Sequence, residues 1–240
     1  LLTTGDSMIL GNVTLTQQSG SSTLSSAGPV GGGLIQIGTL VEGANSSRQA
    51  LVLMDNTSNS NGGQVNFIGN VNIAGITTFA KSYGIAFQGT SNIISGPSTI
   101  FENTGTTIIG NDISDQTTFV NGVKALNPVN IAGKVLTTGT KAEFGAINLT
   151  NTSEIDTGNA AAGQISTGDL TLNGYAMTLD SGTVVGSTIG VGSIINLAGS
   201  LTVRDAGGLV TFGTLGSNNT RGNVTITNSR AGVLFNSPVT

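Results

Sequence analysis

Six short phrases with one pattern recur along the chain, each a glycine followed by alternating apolar and polar residues. They are Gly11-Asn-Val-Thr-Leu-Thr16, Gly69-Asn-Val-Asn-Ile-Ala74, Gly145-Ala-Ile-Asn-Leu-Thr150, Gly168-Asp-Leu-Thr-Leu-Asn173, Gly199-Ser-Leu-Thr-Val-Arg204 and Gly222-Asn-Val-Thr-Ile-Thr227. Alternate side chains of a β-strand point to opposite faces, so Val, Leu and Ile enter a core while Thr and Asn face outward. One such strand is too short to bury its apolar face alone and gains a core only by stacking on similar strands. The pattern therefore predicts an all-β repeat protein.

The spacing of the predicted strands favours a parallel β-helix, also called a β-solenoid, over a β-sandwich. The strands are short and are broken by Gly, Asn-Gly or Gly-Pro, which suit corners that need a left-handed backbone. A sandwich usually has longer strands at spacings of about 8–12 residues. At about 20–25 residues per turn, as in the shorter solenoid repeats, 240 residues predict roughly ten to twelve short coils. No segment has a convincing helical period.

The strand pattern divides the chain into two parts. Residues 65–240 have closely spaced strands and are predicted to form the solenoid repeats. Residues 1–64 are predicted to be a β-rich N-terminal segment with a Ser/Gly-rich loop at 19–33, which is either a linker or one long loop of the same stack. We expect the two parts to be continuous. Because neither terminus has a distinct polar cap, we also expect the native chain to continue on both sides.

Composition narrows the function classes. Only 8% of the residues are charged and the net charge is −4, so no basic stripe is available for binding nucleic acid. The abundance of Gly, Ser and Asn is also compatible with disorder, but 37% hydrophobic residues in regular positions favour a folded chain. No stretch approaches the roughly 20 apolar residues of a membrane-spanning helix.

The chain has no His and no Cys. It therefore lacks the residues for a Ser-His-Asp triad, for thiol catalysis and for thiolate metal sites. Carboxylate chemistry remains, and alternation places Glu154 and Asp156 on one strand face, with Lys141 or Arg204 as candidate neighbours. The simpler interpretation is a solvated charge pair without a chemical role, and we predict no catalytic residue.

A second acidic group, Asp112 and Asp115, lies beside Asn111. The oxygen atoms of these three side chains are the kind of ligand that Ca²⁺ prefers, so they form a candidate calcium site. Their spacing matches no dedicated calcium loop, and a turn is the competing interpretation. No other cofactor is predicted.

Three segments resemble a known family of repeats. They are residues 106–119 (TTIIGNDISDQTTF), 128–145 (PVNIAGKVLTTGTKAEFG) and 210–213 (VTFG). They are similar to repeat units of large bacterial exoproteins, the filamentous-haemagglutinin-like and autotransporter-like β-strand-repeat adhesins. The resemblance covers most of residues 65–240 and implies a right-handed parallel β-helix that is exported from a bacterium and acts at or beyond the cell surface. No secretion signal lies within these residues, so the export route stays open.

The leading hypothesis is therefore a structural or adhesive segment of a secreted bacterial surface protein. Its expected partners are a host or neighbouring-cell surface, a glycan, or other copies of itself, and its expected roles are cell adhesion, aggregation and biofilm formation. One alternative is a β-helix enzyme that degrades polysaccharides, which requires several charged side chains to converge in one groove. Two others are a subunit of an extracellular filament or sheath and an ice- or mineral-surface binder.

Overall fold

A computed structural model describes residues 1–3, 5–16, 20–28, 31–43, 49–53, 62–196, 198–215 and 222–236. In these ranges the chain forms β-strands and no helix, as predicted. Accordingly, no described segment could cross a membrane as an apolar helix. The parts of predicted strands that fall in the remaining positions lie outside the described residues.

The strands have the following bounds in chain order. They are β1 Met8–Leu10, β2 Val13–Leu15, β3 Ser21–Leu24, β4 Ala27–Gly28, β5 Gly31–Gly32, β6 Leu34–Ile37, β7 Leu40–Glu42, β8 Ala50–Leu53, β9 Gln64–Phe67, β10 Val71–Ile73, β11 Gly75–Thr77, β12 Gly84–Phe87, β13 Ser91–Ile94, β14 Thr99–Phe101, β15 Thr107–Ile109, β16 Gln116–Phe119, β17 Val123–Ala125, β18 Val129–Thr137, β19 Ala142–Phe144, β20 Ile147–Asp156, β21 Ile165–Thr167, β22 Leu170–Thr171, β23 Ala176–Asp180, β24 Ile189–Val191, β25 Ile194–Asn196, β26 Ser200–Asp205, β27 Val210–Phe212, β28 Asn223–Ile226 and β29 Val233–Phe235.

These strands stack in three parallel ladders, which we call faces 1, 2 and 3. Face 1 consists of β1, β6, β9, β12, β15, the first parts of β18 and β20, β22 and β25. Face 2 consists of β2, β7, β10, β13, β16, the last parts of β18 and β20, β23, β26 and β28. Face 3 consists of β3, β8, β11, β14, β17, β19, β21, β24, β27 and β29, with β11 packed against β14 without ladder pairing.

Strands β18 and β20 each serve two faces. Val129–Ile131 of β18 pair with β15 on face 1, and Lys134–Thr137 pair with β16 on face 2. The register between β18 and β20 shifts between Ile131 and Gly133, where the strand turns the corner. Gly133 has a φ of +74°, which a residue with a side chain rarely adopts. The sequence pattern predicts two separate strands at 129–131 and 134–137, whereas the structure joins them through this bend.

The architecture is an all-β parallel β-solenoid of about nine turns, which confirms the predicted fold class. Paired residues lie from 18 positions apart, as for Val129 and Ile147, to 31 positions apart, as for Leu40 and Val71. The wide turns near the N-terminus explain why there are fewer turns than the expected ten to twelve. Right-handedness stays a prediction from the family resemblance.

The Ser/Gly-rich stretch contributes to the stack. Within it, Ser21–Leu24 form β3, which pairs in parallel with β8. The strands β4 and β5 then form a small antiparallel pair beside the solenoid. This part of residues 1–64 is therefore continuous with the ladder of face 3.

The core runs along the inside of all three faces. In β10, Val71 and Ile73 are fully buried while Asn72 is exposed, as alternation predicts. Phenylalanines stack between turns, and the rings of Phe67 and Phe87 have centroids 5.1 Å apart. Six of the eight phenylalanines are buried, Phe79 is partly buried, and Phe235 in the last strand is 38% exposed.

Polar side chains at the corners connect each turn to the next. The side-chain Oδ1 of Asn12 accepts a hydrogen bond of 3.1 Å from the Thr39 backbone N–H, and Asn70 accepts one of 3.1 Å from Ser91. Some corner groups bond to the backbone of the adjacent turn, as the Gly69 N–H does to the Gly38 carbonyl at 3.1 Å, and the asparagines satisfy N–H groups beside them. The Asn content of the chain thus supports the stacking of successive turns.

Candidate functional site

The most concentrated group of charged side chains lies on the outer surface of face 2. It contains Lys134 from β18, Glu154 and Asp156 from β20, Asp180 from β23 and Arg204 from β26. We call these five residues the charged cluster. The ladder aligns Lys134 with Glu154 and Asp156 with Asp180, so residues that are distant in sequence become neighbours.

Arg204 lies at the centre of the cluster and contacts three carboxylates. Its Nη1 is 2.8 Å from Oε1 of Glu154, its Nη2 is 3.3 Å from Oδ2 of Asp156, and its Nε donates a hydrogen bond to Oδ2 of Asp180. The Nζ of Lys134 is 3.0 Å from the second carboxylate oxygen of Glu154. The cluster therefore connects four consecutive strands of face 2.

This geometry confirms that Glu154 and Asp156 share a strand face, and it identifies Arg204 as their neighbour. The other candidate neighbour, Lys141, lies beside face 3, where its Nζ is 3.1 Å from Glu143. The Nζ of Lys124 reaches the same carboxylate at 3.8 Å. Hydrogen bonding from Lys141, together with both lysine charges, holds the pKa of Glu143 below its usual value.

Burial and hydrogen bonding act in opposite directions on Glu154. Its side chain is only 16% exposed, and this burial alone would raise the pKa of the carboxyl. The hydrogen bonds and charges of Lys134 and Arg204 outweigh burial, so the pKa is lowered. For Arg204, burial would lower the pKa, but hydrogen bonds to Asp180 and Glu154 raise it. Glu154 is thus shifted away from the range of a general acid at neutral pH.

The two aspartates of the cluster also shape the corners that follow them. The Oδ1 of Asp156 accepts the backbone N–H of Gly158 at 2.7 Å, and the Oδ1 of Asp180 accepts that of Gly182 at 2.8 Å. Both glycines have a positive φ, which glycine adopts without strain. Each aspartate therefore has one oxygen that stabilises a turn and one that contacts Arg204.

The alternation of apolar and polar residues does not predict that Lys134 and Asp180 belong to this cluster. For Asp180, however, a recurring phrase in the sequence indicates its position. An Asp-x-Gly phrase recurs at residues 156–158, 180–182 and 205–207. The register pairs Asp156 with Asp180 and Asp180 with Asp205. The recurring phrase therefore marks the three aspartates that the ladder pairs on successive turns, and the pairing of Asp180 with Asp205 also needs the register shift after Leu179.

The calcium candidates form a turn between β15 and β16. The Oδ2 of the buried Asp115 accepts the backbone N–H groups of Asn111 at 2.8 Å and Asp112 at 3.0 Å. The Oδ1 of Asp112 accepts the backbone N–H and the hydroxyl of Ser114, and these bonds lower the pKa of Asp112. The calcium site stays a prediction, and these oxygen atoms already stabilise the loop.

Other acidic side chains in the described ranges of the chain could in principle provide metal ligands. No group of three or more His, Cys, Asp or Glu side chains is arranged there to hold an ion. Two open depressions lie at the surface of the described residues. One of about 260 Å³ is lined by the stacked Asp156, Asp180 and Asp205, and another of about 270 Å³ lies on face 3 around Gly190.

Comparison with known proteins identifies no relative. The chain matches no protein-family model, and no curated protein and no solved structure is significantly similar to it. The β-solenoid fold is compatible with the family that the repeat phrases resemble. Membership of that family is therefore a proposal.

Proposed function

We propose that this chain is a structural and adhesive segment of a large secreted bacterial cell-surface protein of the filamentous-haemagglutinin-like or autotransporter-like class. It mediates attachment, aggregation or filament formation at a host or neighbouring-cell surface. The resemblance of residues 106–119 and 128–145 to repeats of that class supports the proposal.

The observation that carries the proposal is the continuous parallel ladder. Strands pair from turn to turn along the whole of faces 1 and 2, and on face 3 everywhere except between β11 and β14. The apolar core follows the stack along the described residues. At about 4.8 Å per strand, about nine turns extend roughly 40 Å along the axis. Such an element is suited to carry a binding surface away from its point of attachment.

The charged cluster supports a mechanical role. Each of its carboxylates contacts a cation from another strand, and two of them also hold corner glycines. Groups arranged in this way join turns together. The outward Thr and Asn residues then supply many individually weak contacts, which become effective when many copies bind at once.

A bead-adhesion assay tests the proposal. Beads coated with the folded chain are passed over epithelial cells, bacterial cells and immobilised glycans, and the retained fraction is counted. The same beads carrying heat-denatured chain are the control. Retention well above the control on at least one surface is expected, and retention equal to the control on every surface contradicts the adhesive role.

The polysaccharide-degrading alternative has one observation in its favour, the convergence of three carboxylates around Arg204. A glycosidase needs one carboxyl group that keeps its proton at working pH, whereas the pKa of Glu154 is lowered. Measurement of reducing ends released from a panel of bacterial polysaccharides separates the two functions. Release that disappears in Glu154→Gln would establish the enzyme in place of the structural segment.

A further inference from the structure

Face 1 differs from the other two faces because its strands contain no charged residue. One column of side chains points away from the core along the length of this face, and the ladder keeps eight of them in register. They are Ile9, Gln36, Asn66, Ala86, Ile108, Asn130, Asn148 and Thr171. Ala86 is the one member of this column that is fully buried, at 1% exposure. The outward side chains of face 1 are thus amides, one hydroxyl and aliphatic groups.

The charges of the described strands lie on the other two faces. Face 2 carries Glu42, Asp205 and the charged cluster, and face 3 carries Lys124 and Glu143. Packing another surface on face 2 or face 3 would remove paired charges from water, which is costly. Packing a surface on the strands of face 1 removes no charged side chain from water, although the molecule as a whole carries a net charge of −4.

The amides of face 1 are suited to self-recognition, because each supplies both a donor and an acceptor. They already bond to one another along the column. The Nδ2 of Asn148 donates to Oδ1 of Asn130 at 3.2 Å, and Asn173 at the adjoining corner donates to Oδ1 of Asn148 at 2.7 Å. The side chains of Asn130 and Asn148 are only partly buried, and Ile195 of the last strand on the same face is 51% exposed.

We infer that face 1 is the surface on which a second copy of this chain packs, face to face about a twofold axis. This inference rests on the aggregation or filament-forming role proposed above and names the surface responsible. In such a pair the same residues meet from both sides. Strand β15 is the fifth of nine on face 1, so full overlap places Ile108 opposite its counterpart whichever way the second copy runs.

The area of face 1 determines how stable the proposed dimer is expected to be. Nine strands at about 4.8 Å and a width of about 12 Å give roughly 450 Å² per copy. This is below the roughly 800 Å² per partner of a standard stable interface. The pair is therefore a weak and reversible dimer in solution, and it becomes effective when many copies are held side by side.

Disulfide trapping tests the face-to-face packing of two copies. The chain has no native cysteine, so only the introduced thiols can form a disulfide. Ile108→Cys introduces a thiol on β15, and Thr118→Cys introduces one on β16 of face 2 in the same turn as a matched control. Under mild oxidation we expect Ile108→Cys to form a covalent dimer at several times the yield of Thr118→Cys, because a disulfide needs the two Cβ atoms within about 4.5 Å. Equal yields from the two variants overturn the inference.

Analytical ultracentrifugation of variants with a lysine introduced on face 1 or face 2 supplies an independent test, in which the dimer fraction is measured. Over about 10 µM to about 1 mM, the wild-type chain should show a rising dimer fraction. Ile108→Lys should remain monomeric, whereas Thr118→Lys, which alters the net charge equally, should dimerise like the wild type. A wild-type chain that stays monomeric at the highest concentration refutes the inference without any variant. Bead adhesion that persists in that case would leave the adhesive function standing.

Discussion

Replacement of Arg204 by alanine is the most direct test of the charged cluster. The substitution removes the one side chain that contacts Glu154, Asp156 and Asp180 together. Lys134 then remains beside Glu154 only, and the two aspartates lose their cationic partner. Three carboxylates on neighbouring turns repel one another in this state, so we expect the stack to be weakened between β20 and β26.

The magnitude follows from the exposure of the groups. An exposed ion pair contributes about 0–1 kcal/mol, whereas removal of one partner from a buried pair costs about 3–5 kcal/mol. The Asp180 side chain is 10% exposed and that of Glu154 is 16%, but Arg204 is 43% exposed and is partly screened by water. The loss should therefore be about 2 kcal/mol in the free energy of unfolding.

Urea unfolding followed by circular dichroism measures this loss, and Lys124→Ala is the matched control. The Lys124 side chain is 42% exposed, almost as much as that of Arg204, but its ion pair with Glu143 is long at 3.8 Å. We expect Lys124→Ala to cost less than about 1 kcal/mol. High salt should narrow the difference between the two variants. Equal losses in both variants would show that the cluster does not connect the turns.

Three further predictions concern pH, the aromatic core and the corners. The pKa of Glu154 in the folded chain is lowered from about 4.5, so its ion pairs stabilise the fold at neutral pH and this contribution is lost as the pH falls through the folded-state value. The melting temperature measured against pH should therefore decline only below about pH 4.5, and a decline near pH 6 would contradict this cause. Phe87→Ala empties a fully buried site and should cost about 3–5 kcal/mol in urea unfolding, whereas a cost below about 1 kcal/mol would contradict the packing described. In Gly145→Ala the new Cβ would clash with the Leu126 carbonyl oxygen, so the melting temperature should fall, whereas the new Cβ in Gly190→Ala makes only an ordinary contact and should leave the melting temperature unchanged or raise it. The reverse order would refute the close approach at the Gly145 corner.

Much of the fold could be predicted from the sequence, because alternation and corner residues are local signals. The phrase that begins at Gly69 predicts a strand whose Val71 and Ile73 are buried, and β10 has this pattern. The absence of helical periodicity agrees with the described residues, which are strands and connections. The shared face of Glu154 and Asp156 also follows from alternation alone.

Other features depend on contacts between turns, which alternation does not encode. Strand amides are expected to face outward, but Asn92 is 1% exposed. Its Oδ1 accepts the Val71 backbone N–H at 3.1 Å, and its Nδ2 donates to the Gly89 carbonyl and the Thr117 hydroxyl. These partners lie as many as 25 positions away in sequence. Only the register of the stack reveals that this polar side chain can be satisfied inside.

The Asp-x-Gly corners have a consequence for how the length of this molecule can change. Asp156 and Asp180 are 24 positions apart, and Asp180 and Asp205 are 25 apart, so each corner recurs once per coil. Loss or gain of a residue within a strand would shift its buried side chains against those of the next turn, whereas the connections absorb differences in length, since paired residues lie 18 to 31 positions apart. Duplication or deletion of a whole coil would instead reunite matching ends, so such a rod grows and shortens in complete steps.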